Sequence, residues 1–360
     1  APGTEYTRTG IDVQISLKGT TMLQKGLIQL YTGNSEQCNF APFGLTLRAA
    51  GHNFRILIAC FAPHDLMRGA KVASSLLGQV EIDHSAIDWM EKRLRRNKAL
   101  DVFQRARQSL LKGEFDIIIL NGVIPLINED VIGLMDIAAL MEEKPHNVEL
   151  ILSGPGASED IIEKADLVTE MVVHSSTNIS EKEIIQEDGG AIEVITGNGK
   201  GKTTYCLGKA MLISCLGIRS KILQFIKSPK LYGEVKAIKR LPLLEISSMG
   251  EGFLDFDSNG IEKRHVDAAN RAWEKCVREV FSLKYGLMVL DEIDNAIYHG
   301  LVNLERVREM IHMKPGNLNL LLSGRNAHPE VMEAATTVIE MKEIKHPFKK
   351  GIKARKGIEF

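Results

Sequence analysis

The chain has 360 residues, of which 44% are hydrophobic and 25% charged, a composition typical of a soluble globular protein with room for two domains. The formal net charge of −1 gives no bulk electrostatic reason to expect binding to nucleic acid or to a membrane surface. No apolar run reaches the length of a membrane span, and five scattered cysteines form no C-x-x-C pair, so we expect a cytoplasmic protein without a disulfide framework or zinc site.

A repeated pattern organises the chain. Residues 1–25 carry no readable signal, and the first informative stretch is Gly26–Asn34 (GLIQLYTGN). The later stretch Gly190–Asn198 (GAIEVITGN) matches it in a glycine, an apolar run and Thr-Gly-Asn. Further pairs recur in the same order: Gly44 and Gly208, Phe115–Leu120 and Tyr285–Leu290, Pro145 and Pro315, Leu150–Gly154 and Leu320–Gly324, Val168–Met171 and Val338–Met341. We therefore interpret the sequence as a tandem duplication.

The polar stretch 174–189 separates the two copies and marks the domain boundary. We predict an N-terminal segment over 1–25, a first repeat over 26–173, this linker, and a second repeat over 190–360. In each repeat, short apolar runs alternate with helical patterns. Such alternation favours an α/β fold, in which a mostly parallel sheet carries helices on both faces and ligands bind at the carboxyl ends of the strands.

The strongest motif is Thr196–Thr204 (TGNGKGKTT), which lies between the apolar run Ala191–Ile195 and a helical pattern over Tyr205–Leu216. Its first position is threonine, where the strict pattern G-x-x-x-x-G-K-[ST] has glycine. A strand, a glycine loop and a helix in this order are typical of a phosphate-binding loop, with Lys202 on the phosphates and the Thr203 hydroxyl on Mg²⁺. We predict that the loop binds ATP through these residues: Gly197, Asn198, Gly199, Lys200, Gly201, Lys202, Thr203 and Thr204.

Charged groups end two further strands. Leu287–Glu292 (LMVLDE) ends in Asp291 and Glu292, which beside a phosphate loop are expected to hold Mg²⁺ or Mn²⁺ directly or through water. Arg325 follows an apolar strand on a small-residue turn and can reach anionic oxygens. Each repeat is therefore expected to be a P-loop NTPase (RecA-like) domain. The predicted catalytic residues are Lys202, Thr203, Glu292 and Arg325, and the predicted metal ligands are Thr203, Asp291 and Glu292.

The first repeat lacks these groups. Its residues at the matching places are neutral: Gln37, Cys38 and Asn39 in the loop, Asn121 and Gly122 after the later strand, and Pro155 after Ser153-Gly154. Without a lysine, carboxylates or an arginine, a triphosphate would be poorly neutralised there. We therefore expect a degenerate repeat without a nucleotide site, with binding of a different, neutral ligand as the alternative.

The second repeat resembles the corrinoid (ATP:cob(I)alamin) adenosyltransferases of the cobalamin-biosynthesis type. The resemblance covers essentially all of 190–360 and rests on TGNGKGKTT, KILQFIKS, VLDE, LLLSGRNAHPEV, VIEM and the closing KHPF…GIKARKGIEF, in this order. The threonine that replaces the first loop glycine is also that family's form. The first repeat resembles the family only in its apolar frame.

The resemblance implies attack of Co(I) on the 5′ carbon of ATP, with triphosphate as the leaving group. Lys202, Mg²⁺ and Arg325 would neutralise that group, cob(I)alamin or a related corrinoid would be the second substrate, and a reductase would supply Co(I). The family associates a Gly-Phe-Thr-Trp stretch with the corrinoid side. Here Gly252 and Phe253 match, Leu254-Asp255 replaces Thr-Trp, and Phe256 is the substitute for the tryptophan; both phenylalanines are otherwise core residues.

The family typically forms homodimers. The resemblance thus suggests that the first repeat is a built-in partner, which makes one chain an intramolecular pseudo-dimer with one live site and leaves further oligomerisation open. Two other functions remain: an ATP- or corrinoid-binding protein with weakened catalysis, and a generic P-loop ATPase. A GTPase is disfavoured because no N-K-x-D motif follows the second loop.

Overall fold

The computed structural model describes residues 23, 25–62, 64–85, 92–176, 190–229, 232–252, 254, 256–257, 260–346 and 355–359. The strands of the first half are β1 (Ile28–Gly33), β2 (Ile56–Cys60), β3 (Val80–His84), β4 (Ile117–Asn121), β5 (Glu149–Ser153) and β6 (Leu167–Ser176). Those of the second half are β7 (Ile192–Thr196), β8 (Ser220–Gln224), β9 (Leu244–Ser248), β10 (Phe256–Asp257), β11 (Gly260–Ile261), β12 (Leu287–Asp291), β13 (Asn319–Ser323) and β14 (Thr337–Lys345).

Helices fill the connections between these strands. A 3-10 turn over Glu36–Phe40 precedes the first-half helices α1 (Ala41–Ala50), α2 (His64–Leu77), α3 (Lys92–Lys112), α4 (Ile124–Asn128), α5 (Leu134–Glu143) and α6 (Glu159–Lys164). The second half has α7 (Lys202–Cys215), α8 (Gly233–Ile238), α9 (Lys263–Val280), α10 (Ile293–Tyr298), α11 (Leu304–Met313) and α12 (Pro329–Glu333). Within the described part of the chain, no helix is long and apolar enough to cross a membrane.

The two halves share one sheet of 12 strands in the order β3-β2-β4-β5-β1-β6-β14-β7-β13-β12-β8-β9. Read inward from either edge, the order of equivalent strands is the same. Within this sheet the strands of each half are parallel, whereas β6 and β14 pair antiparallel, with Met171 opposite Met341. Strands β10 and β11 form a separate antiparallel pair. These two methionines are themselves repeat equivalents, so a pseudo-twofold axis passes between them. The predicted α/β class, with a mostly parallel sheet and helices on both faces, is confirmed.

Alternate side chains of each strand enter different cores. In β4, Ile117 and Ile119 join a core that both halves share with α1 and α7, whereas Ile118 and Leu120 join a core of the first half alone. The second half has its own core on that opposite face. Because both faces are covered, the strands read in sequence as continuous apolar runs. One continuous core on one face therefore fixes the two halves relative to each other.

Helices α1 and α7 cross at the pseudo-twofold axis with their backbones in contact. A Cβ atom built on Gly44 would lie 1.7 Å from the Thr204 carbonyl oxygen, and one built on Gly208 would lie 2.0 Å from the Phe40 carbonyl oxygen. Only a residue without a side chain permits this approach. The crossing places the start of α7 directly beside the first half.

Candidate active site

The phosphate-loop motif lies at the carboxyl end of β7, where the chain turns into α7. Gly197 and Gly201 have φ values of 96° and 108°, in the left-handed region that side chains disfavour. Gly199 packs against the backbone of β14, because a Cβ on it would lie 2.8 Å from the Met341 carbonyl carbon. The glycines thus fold the loop tightly against the centre of the sheet, and α7 begins directly after it.

Lys202 is folded over this loop. Its Nζ donates hydrogen bonds to the carbonyl oxygens of Gly197 and Gly199 at 2.7 and 2.9 Å. The residue is 9% exposed, and burial lowers the pKa of its ammonium to about 8, against the opposing effect of Glu292. A cation is therefore held where the loop would receive an anionic group.

Asp291, at the end of β12, connects three strands and α7. Its Oδ1 accepts hydrogen bonds from the hydroxyls of Thr203 and Ser323, each at 2.8 Å. Its Oδ2 accepts one from Gln224 Nε2 at 2.9 Å. The structure brings Thr203 and Asp291, two of the three predicted metal ligands, within hydrogen-bond distance of each other. Ser323 and Gln224 were not among the predicted site residues; their position at the carboxyl ends of β13 and β8 was the available signal.

Glu292 follows at a sharp turn. It has a left-handed φ of 65°, and its Oε2 accepts a hydrogen bond from Asn295 Nδ2 at 2.6 Å. Burial, together with the charge of Asp291, raises the pKa of Glu292 to about 7, although Lys202 works in the opposite direction. The carboxyl group thus lies within the electrostatic influence of both the loop lysine and the neighbouring aspartate.

Asp294 is an acidic residue of the site that the sequence interpretation missed. It is fully buried in the first turn of α10, and neither carboxyl oxygen has a hydrogen-bond partner among the described residues. Burial, then the charge of Glu292, raises its pKa to about 7. Gly324 packs directly on it, since a Cβ on that glycine would lie 2.7 Å from Asp294 Cβ. Its place two residues after Glu292 was the only sequence signal.

Replacing Asp294 by asparagine is expected to stabilise the folded protein above neutral pH. The pKa of this carboxyl is about 7 in the folded protein and about 4 in an unfolded chain, so between these values the folded state keeps a proton that the unfolded state releases. Its contribution to stability therefore falls as the pH rises through this range, by about 4 kcal/mol in total. Urea unfolding should show a larger gain for Asp294→Asn at pH 8 than at pH 5. Equal gains at both pH values would contradict the assignment.

The remaining predicted residues surround this centre. Arg325 follows β13 with an exposed side chain; its backbone N–H donates to Asn295 Oδ1 at 2.8 Å, and its charge helps to lower the pKa of Lys202. Asn198 is exposed and Thr204 is buried. Phe253 lies outside the described residues.

Phe256 and Lys200 are the two remaining predicted residues. Phe256 is described only through the backbone pairing of β10 with β11. The Lys200 carbonyl accepts a hydrogen bond from Thr169 Oγ1 of the first half at 3.1 Å. The far side of the loop therefore touches the other repeat.

The equivalent place in the first half holds a hydrogen-bonded network of two asparagines and a serine. Ser153 Oγ donates to Asn39 Oδ1 at 2.8 Å, and Asn121 Nδ2 donates to the Asn39 carbonyl at 2.9 Å and to Ser153 Oγ at 3.1 Å. Asn39 and Asn121 stand where the second half has Thr203 and Asp291. Asn39 Nδ2 also donates to the carboxyl group of Glu36, so the side-chain amide of Asn39 is bonded within the protein and needs no ion as a partner.

Comparison with known proteins gives matches in both halves. A family model described as ATP:corrinoid adenosyltransferase BtuR/CobO/CobP matches over residues 24–185 and again over 188–360, in agreement with the tandem duplication. The corrinoid adenosyltransferase of Pseudomonas aeruginosa is 37% identical over 177 residues, which are 49% of this chain and 86% of that protein.

Two further relatives differ in how much of this chain they cover. The corrinoid adenosyltransferase of Salmonella typhimurium is 31% identical over 175 residues, 49% of this chain and 88% of that protein. An uncharacterized protein of Nostoc is 24% identical over 384 residues, 98% of this chain and 100% of that protein. The named enzymes thus correspond in length to one repeat, and the Nostoc protein corresponds to both.

Proposed function

This chain belongs to the ATP:corrinoid adenosyltransferase family, and we propose that its second half transfers the 5′-deoxyadenosyl group of ATP to the Co(I) ion of a reduced corrinoid, such as cob(I)alamin, with release of triphosphate. The observation that supports this most directly is the phosphate loop, where Lys202 crosses the loop and Thr203 is bonded to Asp291 at the carboxyl ends of the strands. Ligands of open α/β sheets bind at that edge.

The reaction requires the charge of the leaving triphosphate to be neutralised, and it requires no proton transfer. The electron pair of Co(I) forms the cobalt–carbon bond while the bond between the 5′ carbon and its oxygen breaks, and triphosphate leaves with that second electron pair. No proton moves in this step, so no general base is required. Lys202, the N–H groups of the loop and the start of α7 would stabilise the leaving charge, and Arg325 would add a second cation from the end of β13.

The residues at the start of α7 fit a Mg²⁺ or Mn²⁺ ion that ATP itself helps to bind. Among the described residues, no cluster of three or more His, Cys, Asp or Glu side chains could hold a metal alone, so phosphate oxygens and water would complete the coordination. The Thr203 hydroxyl and Asp291 carboxylate are hard oxygen donors 2.8 Å apart, and Glu292 follows them. We assign these three residues to the ion, which when bound would neutralise the leaving triphosphate.

The first half serves, in this proposal, as an intramolecular partner without a nucleotide site of its own. It supports the loop of the second half directly: Thr169 bonds the Lys200 carbonyl, and the Tyr31 ring lies 3.2 Å from a Cβ built on Gly201. Its own loop position is occupied by the hydrogen-bonded asparagine and serine network. One chain would therefore carry one live site, and a separate reductase would supply Co(I).

The test is to mix the full chain with ATP, Mg²⁺ and chemically reduced cobalamin, and to follow the visible spectrum and the nucleotide products. We expect a light-sensitive alkylcobalamin and an equal amount of intact triphosphate, with neither formed when the reductant is omitted. ADP and phosphate in place of triphosphate would contradict the transfer and favour a generic P-loop ATPase. Bound ATP without any product would favour a binding protein with weakened catalysis.

A further inference from the structure

We propose that Arg48 of the first half is a positioning residue for the site in the second half, acting through Glu234 and Lys227. The inference rests on the proposed function, because it concerns how that site is completed. The first repeat has no nucleotide site of its own. In this proposal it supplies Arg48, a side chain on which the site of the second repeat depends.

Three side chains form a continuous chain of charges between the halves. Arg48, in α1, is 5% exposed, and its Nε donates to Glu234 Oε2 at 3.2 Å. Glu234, in α8, is 1% exposed, and its Oε1 accepts a hydrogen bond from Lys227 Nζ at 3.3 Å. Although burial works against it, Arg48 and then Lys227 hold the pKa of Glu234 at about 2. The carboxylate is therefore ionised and shared between one cation from each half.

Lys227 stands on the loop that borders the candidate site. This loop leaves β8, the strand next to β12, and its first N–H, that of Phe225, donates to the Asp291 carbonyl at 3.0 Å. The Lys227 carbonyl is fixed by the Gly250 N–H at 3.0 Å. Lys227 follows Phe225 by two residues, so it lies at the carboxyl edge of the sheet, where the candidate site is. Glu234 thus holds the ammonium of Lys227 at this edge of the sheet.

At the pseudo-symmetric place on the other side of the molecule, the described residues that correspond to Arg48 and Glu234 are apolar. A Cβ built on Gly233 would lie 2.2 Å from the Arg48 carbonyl oxygen. In the equivalent helix contact, a Cβ built on Gly69 would lie 2.5 Å from the Leu212 carbonyl oxygen. Leu212 therefore corresponds to Arg48, and Ala70 corresponds to Glu234; both are buried.

This asymmetry separates packing from function. The Leu212 and Ala70 pair shows that the contact between the halves packs without an ion pair. A buried ion pair often stabilises a fold no better than well-packed apolar residues do. The charged version occurs only on the side where the loop carries Lys202, which is the side where a cation beside the triphosphate has a use. The geometry thus points to a role in the site and not in assembly.

The experiment is a double-mutant cycle on the full chain, with Arg48→Leu, Lys227→Met and the combination of both. We expect each single variant to lower kcat/KM for adenosyl transfer about tenfold, and the double variant to be no slower than Lys227→Met alone. Arg48 also donates to the Ile358 carbonyl at 3.0 Å. A loss through that contact would persist in the Lys227→Met background, so the cycle distinguishes the two routes. Losses that multiply, or an unchanged Arg48→Leu enzyme, would overturn the proposal.

Two further variants keep the result interpretable. Arg48→Leu removes one of the two cations that pair with the buried Glu234, which can destabilise the fold. The double variant Arg48→Leu/Glu234→Ala copies the apolar pair found on the other side. It therefore tests the same loss of kcat/KM in a protein without an unpaired buried charge. Full activity in that variant would also overturn the proposal. Arg240→Met is the matched control, since Arg240 joins the halves through the Leu77 carbonyl at 2.9 Å without touching Lys227; its kcat/KM should be unchanged.

The proposed function and this inference can fail separately. If the wild-type chain forms no alkylcobalamin, the proposed function fails, and the same cycle is measured as ATP affinity by titration calorimetry. If Arg48 acts through Glu234 and Lys227, then Arg48→Leu and Lys227→Met each weaken ATP binding, and their effects do not add. Additive effects on ATP affinity would overturn the inference about Arg48, whatever reaction the protein catalyses.

Discussion

Lys202→Ala is expected to lower kcat/KM for adenosyl transfer by at least about a thousandfold, because the leaving triphosphate loses the cation held inside the loop. The lysine is 9% exposed and bonded to two loop carbonyls, so its charge acts where water screens it poorly. The measurement is the initial rate of alkylcobalamin formation over a range of ATP concentrations. A large fall in kcat, and not only a rise in KM, would show that the interaction strengthens as the triphosphate leaves.

The matched control for this change is Lys239→Ala. Lys239 is an exposed lysine at the end of α8 in the same half of the chain. Its removal should leave the rate within the error of the wild-type value. Circular dichroism of both variants would establish that the fold is intact. A Lys202→Ala enzyme that works at a rate near that of the wild type would contradict the assignment of the loop as the triphosphate site.

Gly208→Leu is expected to destabilise the chain by about 3 kcal/mol or more, or to prevent the halves from joining. A Cβ on Gly208 would lie 2.0 Å from the Phe40 carbonyl oxygen, which belongs to the backbone and cannot rotate away. Relief requires α1 and α7 to separate, and these helices carry the core that both halves share. Urea unfolding, with gel filtration to follow the compactness of the chain, would measure the effect.

Gly208→Ala tests the same contact, because helix propensity and the helix crossing predict opposite changes in the stability of the protein. In an isolated helix, alanine is favoured over glycine by about 1 kcal/mol. At this crossing we expect a net loss of stability, because the clash exceeds that gain. Gly316→Ala is the control, since a Cβ there meets no atom within 4 Å. A Gly208→Ala protein as stable as the wild type would show that the helices can move apart at little cost.

The sequence determined the features that depend on neighbouring residues. The α/β class follows from the alternation of apolar runs with helical patterns, and the phosphate loop follows from nine consecutive residues after a strand. The duplication and the family were recognisable because the motifs and their order along the chain can be read from the sequence without knowledge of the fold. The placement of Thr203 against Asp291 was foreseen because a loop after one strand and carboxylates after another meet at the same edge of a parallel sheet. The catalytic, nucleotide-binding and metal-binding roles of all the predicted site residues remain predictions.

Only the tertiary structure decided which distant residues meet. Gln224 and Ser323 reach Asp291 because β8 and β13 flank β12, an order that short-range patterns do not encode. The burial of Asp294 also carries no local signal, because it involves Gly324, which packs on it from the turn after β13. Arg48 and Glu234 are 186 positions apart in the sequence and meet only because the two repeats join through antiparallel β6 and β14. Burial and long-range pairing depend on how the whole chain packs, so these contacts could not be predicted from any single stretch of it.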